Sequence, residues 1–195
     1  MNDRKLPELF PEALRSLFEW LDAEGTPSAT IGGVAVSLLA QPRMTQDIDV
    51  VIWLEEPAWE SFLESGKKHG IIQRISDALE FARKSRVFLL KHEPSGINID
   101  LSLGGLEFER EMIEKSTKLL VGGLSIRVPT PEDLIITKAV AQRPKDLADI
   151  DAILAAAPDL DLARIRYWVQ QFADALEMPD IAASLEMKLR HHSLK

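Results

Sequence analysis

Cysteine is missing from all 195 residues, which excludes disulfide frameworks and thiolate metal sites. Positive charge is scarce: 23 Lys and Arg stand against 31 Asp and Glu, a net charge of −8 with a pI near 5.1. Broad nonspecific nucleic-acid binding needs clustered positive charge, so this balance argues against it while leaving room for a local basic groove. No charged-then-apolar leader opens the chain and no apolar run reaches membrane-spanning length, so the expectation is a cytoplasmic protein with no membrane partner. Internal repeats and low-complexity segments are also missing. What is present is a 46% hydrophobic composition, enough for a sizeable core in one domain, or in one domain plus a small helical appendage.

The chain is organised around Ile31-Gly32-Gly33 and the stretch Arg43-Met44-Thr45-Gln46-Asp47-Ile48-Asp49-Val50-Val51-Ile52. The second part is β-branched and bounded by a Pro/Gln loop and by Glu55-Glu56-Pro57, which predicts a strand. Strand side chains alternate at about 3.3 Å per residue, so Asp47 and Asp49 share a face roughly 6.6 Å apart along the strand. Ile48, Val50 and Ile52 take the opposite face, toward a core. Two neighbouring carboxylates raise each other's pKa unless a cation intervenes. A hard divalent ion bound through oxygens, retaining waters and substrate phosphates, meets that need. The glycine pair lets backbone approach a phosphate, and N–H groups at a helix start attract anions. The residues therefore read as a metal-plus-triphosphate site.

Elsewhere the periodicity predicts helices over 7–24, 34–40, from Pro57 to between Gly66 and Gly70, from a Ser76 cap through Lys84, and over 106–117. Strands are expected at Ala29–Ile31, Asp47–Leu54, Arg86–Lys91 and Ile97–Leu103, with turn chemistry at His92–Gly96. The Ile97–Leu103 strand alternates without a fault and places Asn98, Asp100 and Ser102 on one face. Laid beside Asp47–Leu54 with its polar face on the same side, it brings a third carboxylate, Asp100, to the pair. A hairpin follows around Gly122-Gly123. Thr130, Pro131, Glu132 and Asp133 then make a strong helix start. Helices are expected to about Gln142, over 145–156, 161–176 and 180–190. The order is mixed α/β to about Val128 and helical afterwards, so the expected division is a core over 1–128 and a helical part over 129–195. A second charged cluster lies in that part: Lys138 on an otherwise apolar stripe, then Arg143-Pro144-Lys145-Asp146 and Asp149. A lysine on such a stripe either snorkels or meets an anion.

Gly32-Gly33, their spacing to Asp47-x-Asp49, and Arg43-x-Thr45-x-Asp47 resemble the signature of the polymerase-β-like nucleotidyltransferase superfamily. Within it the chain is most similar to the minimal and AbiEii-type nucleotidyltransferases, the latter being toxins of type IV toxin–antitoxin systems. The Thr/Pro-Glu-Asp-Leu helix start, Lys138 and Arg143-x-Lys145-Asp146-x-x-Asp149 resemble the same group, so the similarity runs from about Ile31 to Leu154. It implies an α+β nucleotidyltransferase fold, a small mixed sheet flanked by helices, with a helical C-terminal part that completes the active site. It further implies that Lys138 contacts the NTP phosphates and that Asp146 activates or orients the acceptor, and it makes a cognate antitoxin a candidate partner.

Plainer readings stand beside these. Gly32-Gly33 alone is an ordinary tight turn, and Arg43 either pairs with a carboxylate or touches substrate phosphate. Lys138 is as well placed for a snorkelling role, and Lys145 with Asp149 reads as a helix ion pair worth a few tenths of a kcal/mol. His92, His191 and His192 lack ligand-like partners, the last two belonging to a frayed tail. Lys67-Lys68, Arg83-Lys84 and Arg86 are solvated faces, or contacts to an RNA backbone if the acceptor is RNA. Trp20, Trp53, Trp59 and Trp168 read as core.

The combined expectation is a nucleotidyltransferase in which Asp47 and Asp49 hold Mg²⁺ or Mn²⁺ against the triphosphate. Asp100 joins them on a second metal or acts as base toward the acceptor hydroxyl. Gly32, Gly33, Arg43, Thr45 and Lys138 bind the nucleotide, and Asp146 supports the acceptor. The acceptor is RNA, such as a tRNA end, or else a protein hydroxyl or an antibiotic-type small molecule. A silent domain that only binds nucleotide or a partner is the reading from another class.

Overall fold

The β-branched run at Asp47–Ile52 forms a strand, β2, and the alternating run at Asn98–Leu103 forms another, β5; the two pair in parallel. In this computed structural model, residues 11–42 and 44–193 are described. The expected start of the first helix at residues 7–10 and the candidate Arg43 lie outside the described residues.

Three further strands complete the sheet: β1 (Ser28–Ile31), β3 (Ile71–Gln73) and β4 (Val87–His92). The order is β1-β2-β5-β4-β3, antiparallel except for the β2–β5 pair. Alternation sorts the side chains. Ile48, Val50 and Ile52 of β2, Ile99, Leu101 and Leu103 of β5, and Phe88 and Leu90 of β4 are all buried. Burying each such side chain contributes about 1.5–3 kcal/mol. Helix α1 (Pro11–Ala23) buries Leu14, Leu17, Phe18, Trp20 and Leu21, the stripe its sequence spacing requires. Trp20 stacks on Phe62 at 4.1 Å between centroids and donates its indole N–H to Ser65 Oγ at 2.8 Å. Trp59 meets Phe88 edge-on at 5.4 Å. Of the four tryptophans read as core, Trp20 and Trp59 are fully buried, whereas Trp53 and Trp168 keep partial exposure.

The remaining helices are α2 (Gly32–Leu39), α3 (Trp59–Gly66), α4 (Ala78–Ser85), α5 (Glu107–Lys115), α6 (Pro131–Ala141), α7 (Pro144–Ala156), α8 (Leu162–Ala175) and α9 (Asp180–Ser193). Strands β6 (Thr117–Val121) and β7 (Leu124–Val128) form the expected hairpin. Among the described residues, those up to Ala35 with those of Pro42–Pro129 form one compact unit; Val36–Gln41 with those from Thr130 onward form the other.

Several local expectations shift. Ser76 is not the cap of α4; Asp77 holds that position, without a side-chain cap bond. Arg86 does not open β4 but closes α4 in the left-handed region, φ 57°, its N–H donating to the Ala82 carbonyl. Helix α5 stops at Lys115 because Ser116 turns extended, leaving β-branched Thr117 to pair with Val128. Strand β3 was not expected, and at three residues it is too short to show a period. Helix α9 continues through His191 and His192, so they are helical and exposed rather than a frayed tail.

His92, expected in a turn, ends β4 and is 1% exposed. Its Nδ1 lies 2.7 Å from Ser95 Oγ and its Nε2 3.1 Å from Ser16 Oγ on α1, so hydroxyls serve both ring nitrogens. Burial lowers its pKa from the usual histidine value, with the Glu12 carboxylate pulling the other way. Its folded-state pKa is therefore below its unfolded one. This contribution is complete above the unfolded value of about 6.5 and is lost as pH falls from there through the depressed folded value. The melting temperature should accordingly drop between about pH 7 and 5, and His92→Gln should flatten that drop. Parallel pH–melting curves for both proteins check it.

Candidate active site

Strand register builds the polar face of the sheet. Asp49 on β2 lies opposite Asp100 on β5, and Asp47 lies opposite Asn98. The pairing assumed from sequence is thus observed, and all three aspartates occupy one face of adjacent strands, each partly exposed. Asn98 Nδ2 donates to Asp47 Oδ1 at 3.3 Å, and Thr45 Oγ1 donates to the Asp47 carbonyl at 3.1 Å. Thr45 therefore shapes the loop entering β2. Burial raises the Asp100 pKa; the Arg74 guanidinium beside it opposes that rise and the Asp47 charge adds to it. Arg74 donates to Asp100 Oδ1.

Gly32 begins α2 immediately after β1 with φ +64°, a conformation that L residues rarely adopt. A Cβ there would overlap the Asp49 carboxylate. Glycine is needed twice over, for the turn and for the close approach of backbone to carboxylate.

A divalent cation would find a hard, all-oxygen donor set in Asp47, Asp49 and Asp100, and the like-charge effect of Asp47 on Asp100 is one a cation relieves. The donor chemistry fits. Among the described residues, however, no three acidic or histidine side chains are gathered tightly enough to hold a metal as they stand. Asp47 faces Asn98, Asp49 lies against Gly32, and Asp100 is engaged by Arg74. The register sets the three residues on adjacent positions of one face.

The helical unit contains the second cluster. Lys138 on α6 is 4% exposed, and its Nζ reaches Asp146 Oδ1 at 2.8 Å and Asp149 Oδ2 at 2.9 Å, both on α7. Arg143 at the α7 N-cap adds Nε to Asp146 Oδ2 at 2.5 Å and Nη2 to Oδ1 at 3.2 Å. Burial pushes the Asp146 pKa up, but hydrogen bonds from Arg143 and Lys138 outweigh it and hold the carboxyl below its usual range. The snorkelling reading of Lys138 is corrected: a buried ammonium meets two buried carboxylates. So is the Lys145–Asp149 helix pair, since Asp149 serves Lys138. Asp133, expected simply as a first-turn acid, is fully buried and gripped by Arg164 of α8 at 2.7 and 3.1 Å. Thr130 caps α6 as expected, accepting from the Asp133 N–H at 3.2 Å.

The basic residues weighed as RNA contacts are mostly engaged. Lys67 pairs with Glu64, Arg83 with Glu56 and Lys84 with Glu80, all exposed and worth little individually. Arg86 donates to the Gly104 carbonyl at 2.8 Å and lies over the Trp59 ring.

This mixed sheet with flanking helices is a nucleotidyltransferase fold, and solved structures share it. An antigenic nucleotidyltransferase-like protein from Paracoccidioides brasiliensis matches with a TM-score of 0.56 at 18% identity, covering 92% of each chain. The antibiotic-resistance factor ANT(2″)-Ia matches at 0.57 and 14%, over 93% of this chain and 97% of its own. The lincosamide antibiotic adenylyltransferase LnuA, lincomycin-bound, matches at 0.51 and 14%, over 75% and 98%. No functionally curated protein matches the sequence significantly. The family model described as nucleotidyl transferase AbiEii toxin, type IV TA system, matches residues 15–191, so the chain belongs to the AbiEii nucleotidyltransferase family.

Two substitutions probe these geometries. Gly32→Ala should cost the backbone strain of about 1–2 kcal/mol and also displace Asp49. Gly25→Ala, at φ +62° with open space around it, should cost the strain alone. Denaturant unfolding of both variants reads the difference. Lys138→Ala, which helix propensity alone would tolerate, should instead lose about 3–5 kcal/mol of stability by taking the ammonium away from buried Asp149 and leaving Asp146 to Arg143 alone. The same unfolding measurement checks it.

Proposed function

We propose that this AbiEii-family enzyme transfers a nucleoside monophosphate from an NTP to an acceptor hydroxyl in a metal-dependent reaction, with RNA, such as a tRNA end, as the acceptor. The observation that carries it is the β2–β5 register, which aligns Asp47, Asp49 and Asp100 on one face beside the Gly32 turn. Asp47 and Asp49 would hold Mg²⁺ or Mn²⁺, with Asp100 as a further ligand; the bound ion supplies charge neutralisation on the phosphoryl oxygens. Backbone N–H groups at Gly32 and Gly33 receive a phosphate, with Thr45 fixing the loop and Arg43 assigned to the nucleotide; Lys138, buried between Asp146 and Asp149, serves the α6–α7 pair instead. Asp100 accepts the proton of the attacking hydroxyl. The acceptor oxygen bonds to the α-phosphorus as the bond to the leaving pyrophosphate breaks. Asp146, saturated by Lys138 and Arg143, is a positioning group rather than the base. Membership of a toxin family of type IV toxin–antitoxin systems supports a cognate antitoxin as partner and a cytoplasmic site of action; RNA as acceptor follows the resemblance to the toxins. A small-molecule hydroxyl is the second reading, favoured by the likeness to ANT(2″)-Ia and LnuA.

Incubation with each α-labelled NTP, Mg²⁺ and a cell lysate should place label in RNA; label in small molecules or protein would reassign the acceptor, and none anywhere would favour a silent binding domain. In that assay Asp100→Asn should retain folding and NTP binding yet lose transfer by about 10²–10⁴-fold. Asp47→Asn should lose metal-dependent NTP binding as well. Mg²⁺ or Mn²⁺ should raise the melting temperature of the wild type, further with NTP present, by about 2.7 kcal/mol of stability at a hundredfold excess over Kd. A melting curve indifferent to both ions, with and without NTP, contradicts the site.

A further inference from the structure

Arg74 follows directly on β3, the edge strand two places from β5. Its backbone N–H donates to the Leu89 carbonyl at 2.9 Å, and Leu89 stands opposite Asp100 in the β4–β5 ladder. The side chain therefore crosses β4 and sets its guanidinium on Asp100 Oδ1. The two side chains are 25% and 34% exposed, so the contact is half-shielded from solvent. Asp100 needs a cation, being partly buried with Asp47 on the same face. A guanidinium cannot lose its proton near neutral pH, so it leaves a carboxylate only when another partner replaces it. The lone pairs it occupies are those a metal would require.

We propose that Arg74 is a positioning residue that holds Asp100 in the metal-free protein and competes with the divalent ion for that carboxylate. The proposal rests on the assignment of Asp100 to the metal site. It carries a consequence for the order of binding. Metal alone must displace Arg74 and strand its charge, whereas metal arriving with NTP brings phosphate oxygens that match the guanidinium fork. Metal and NTP then bind cooperatively, each easing the other's entry by the same factor. A protein built this way leaves free metal largely unbound and assembles the site when nucleotide arrives.

The test is calorimetric titration of the full chain with Mn²⁺ alone, then with Mn²⁺ and a non-hydrolysable NTP, for wild type and Arg74→Gln. Arg74→Gln should bind Mn²⁺ alone about three- to tenfold tighter, the scale of a partly exposed charge-assisted pair, and should lose a similar factor of NTP enhancement. Arg74→Lys keeps the charge without the fork and should fall between, which secures the comparison if the glutamine variant folds poorly. On an Asp100→Asn background, Arg74→Gln should leave Mn²⁺ affinity unchanged. Equal Mn²⁺ affinity in wild type and Arg74→Gln overturns the role of Arg74 while leaving the metal site standing. Tightening that persists without the Asp100 carboxylate overturns it too. Failure of both proteins to bind Mn²⁺, with or without nucleotide, overturns this inference together with the metal site.

Discussion

Parallel pairing of β2 with β5 is the constraint on which the polar face of the sheet depends. A one-residue slip would turn every side chain of a strand to the opposite face. It would bury Asp100 in the core and expose Ile99 and Leu101, so the apolar side chains fix the register and the aspartates inherit it. Packing on one face thereby sets the geometry of chemistry on the other. The Gly32 turn completes the arrangement, since only a residue without Cβ leaves room for the Asp49 carboxylate.

Charge compensation recurs throughout an acidic chain. Asp100 is met by Arg74, Asp133 by Arg164, and Asp146 and Asp149 by Lys138, with Arg143 on Asp146. Buried carboxylates are tolerable only when paired, and removing one partner costs more than the pair contributes. Of these pairs, the one at Asp100 is alone in keeping both partners well exposed, at 25% and 34%, which suits a contact that is to be exchanged rather than kept.

Much of this was legible in the sequence wherever period and punctuation agreed. The β2 and β5 runs, the α1 stripe and the Thr130-Pro131 helix start all declared themselves, and the family resemblance agrees with the family the chain belongs to. Side-chain partners were not legible. Strand β3 is too brief to carry a period, so nothing announced that Arg74 would reach Asp100 across β4. The lysine on the apolar stripe signalled an anion, yet the spacing of Asp146 and Asp149 on their own helix could not say that both would point at it. His92 looked like turn chemistry because its neighbours are turn residues, while its burial is fixed by Ser16 far away in sequence. Long-range pairing is decided by packing, which local patterns do not record.

The central claim is that the β2–β5 register prepares a carboxylate site for a divalent ion and a triphosphate. The most direct measurement is a crystal structure of the protein with Mn²⁺ and a non-hydrolysable NTP, the metal located by its anomalous scattering. The expected result is Mn²⁺ within about 2 Å of carboxylate oxygens of Asp47 and Asp49, with a phosphate against the Gly32-Gly33 turn. Nucleotide bound elsewhere, or Mn²⁺ on other side chains while Asp47 and Asp49 remain bare, would contradict the account.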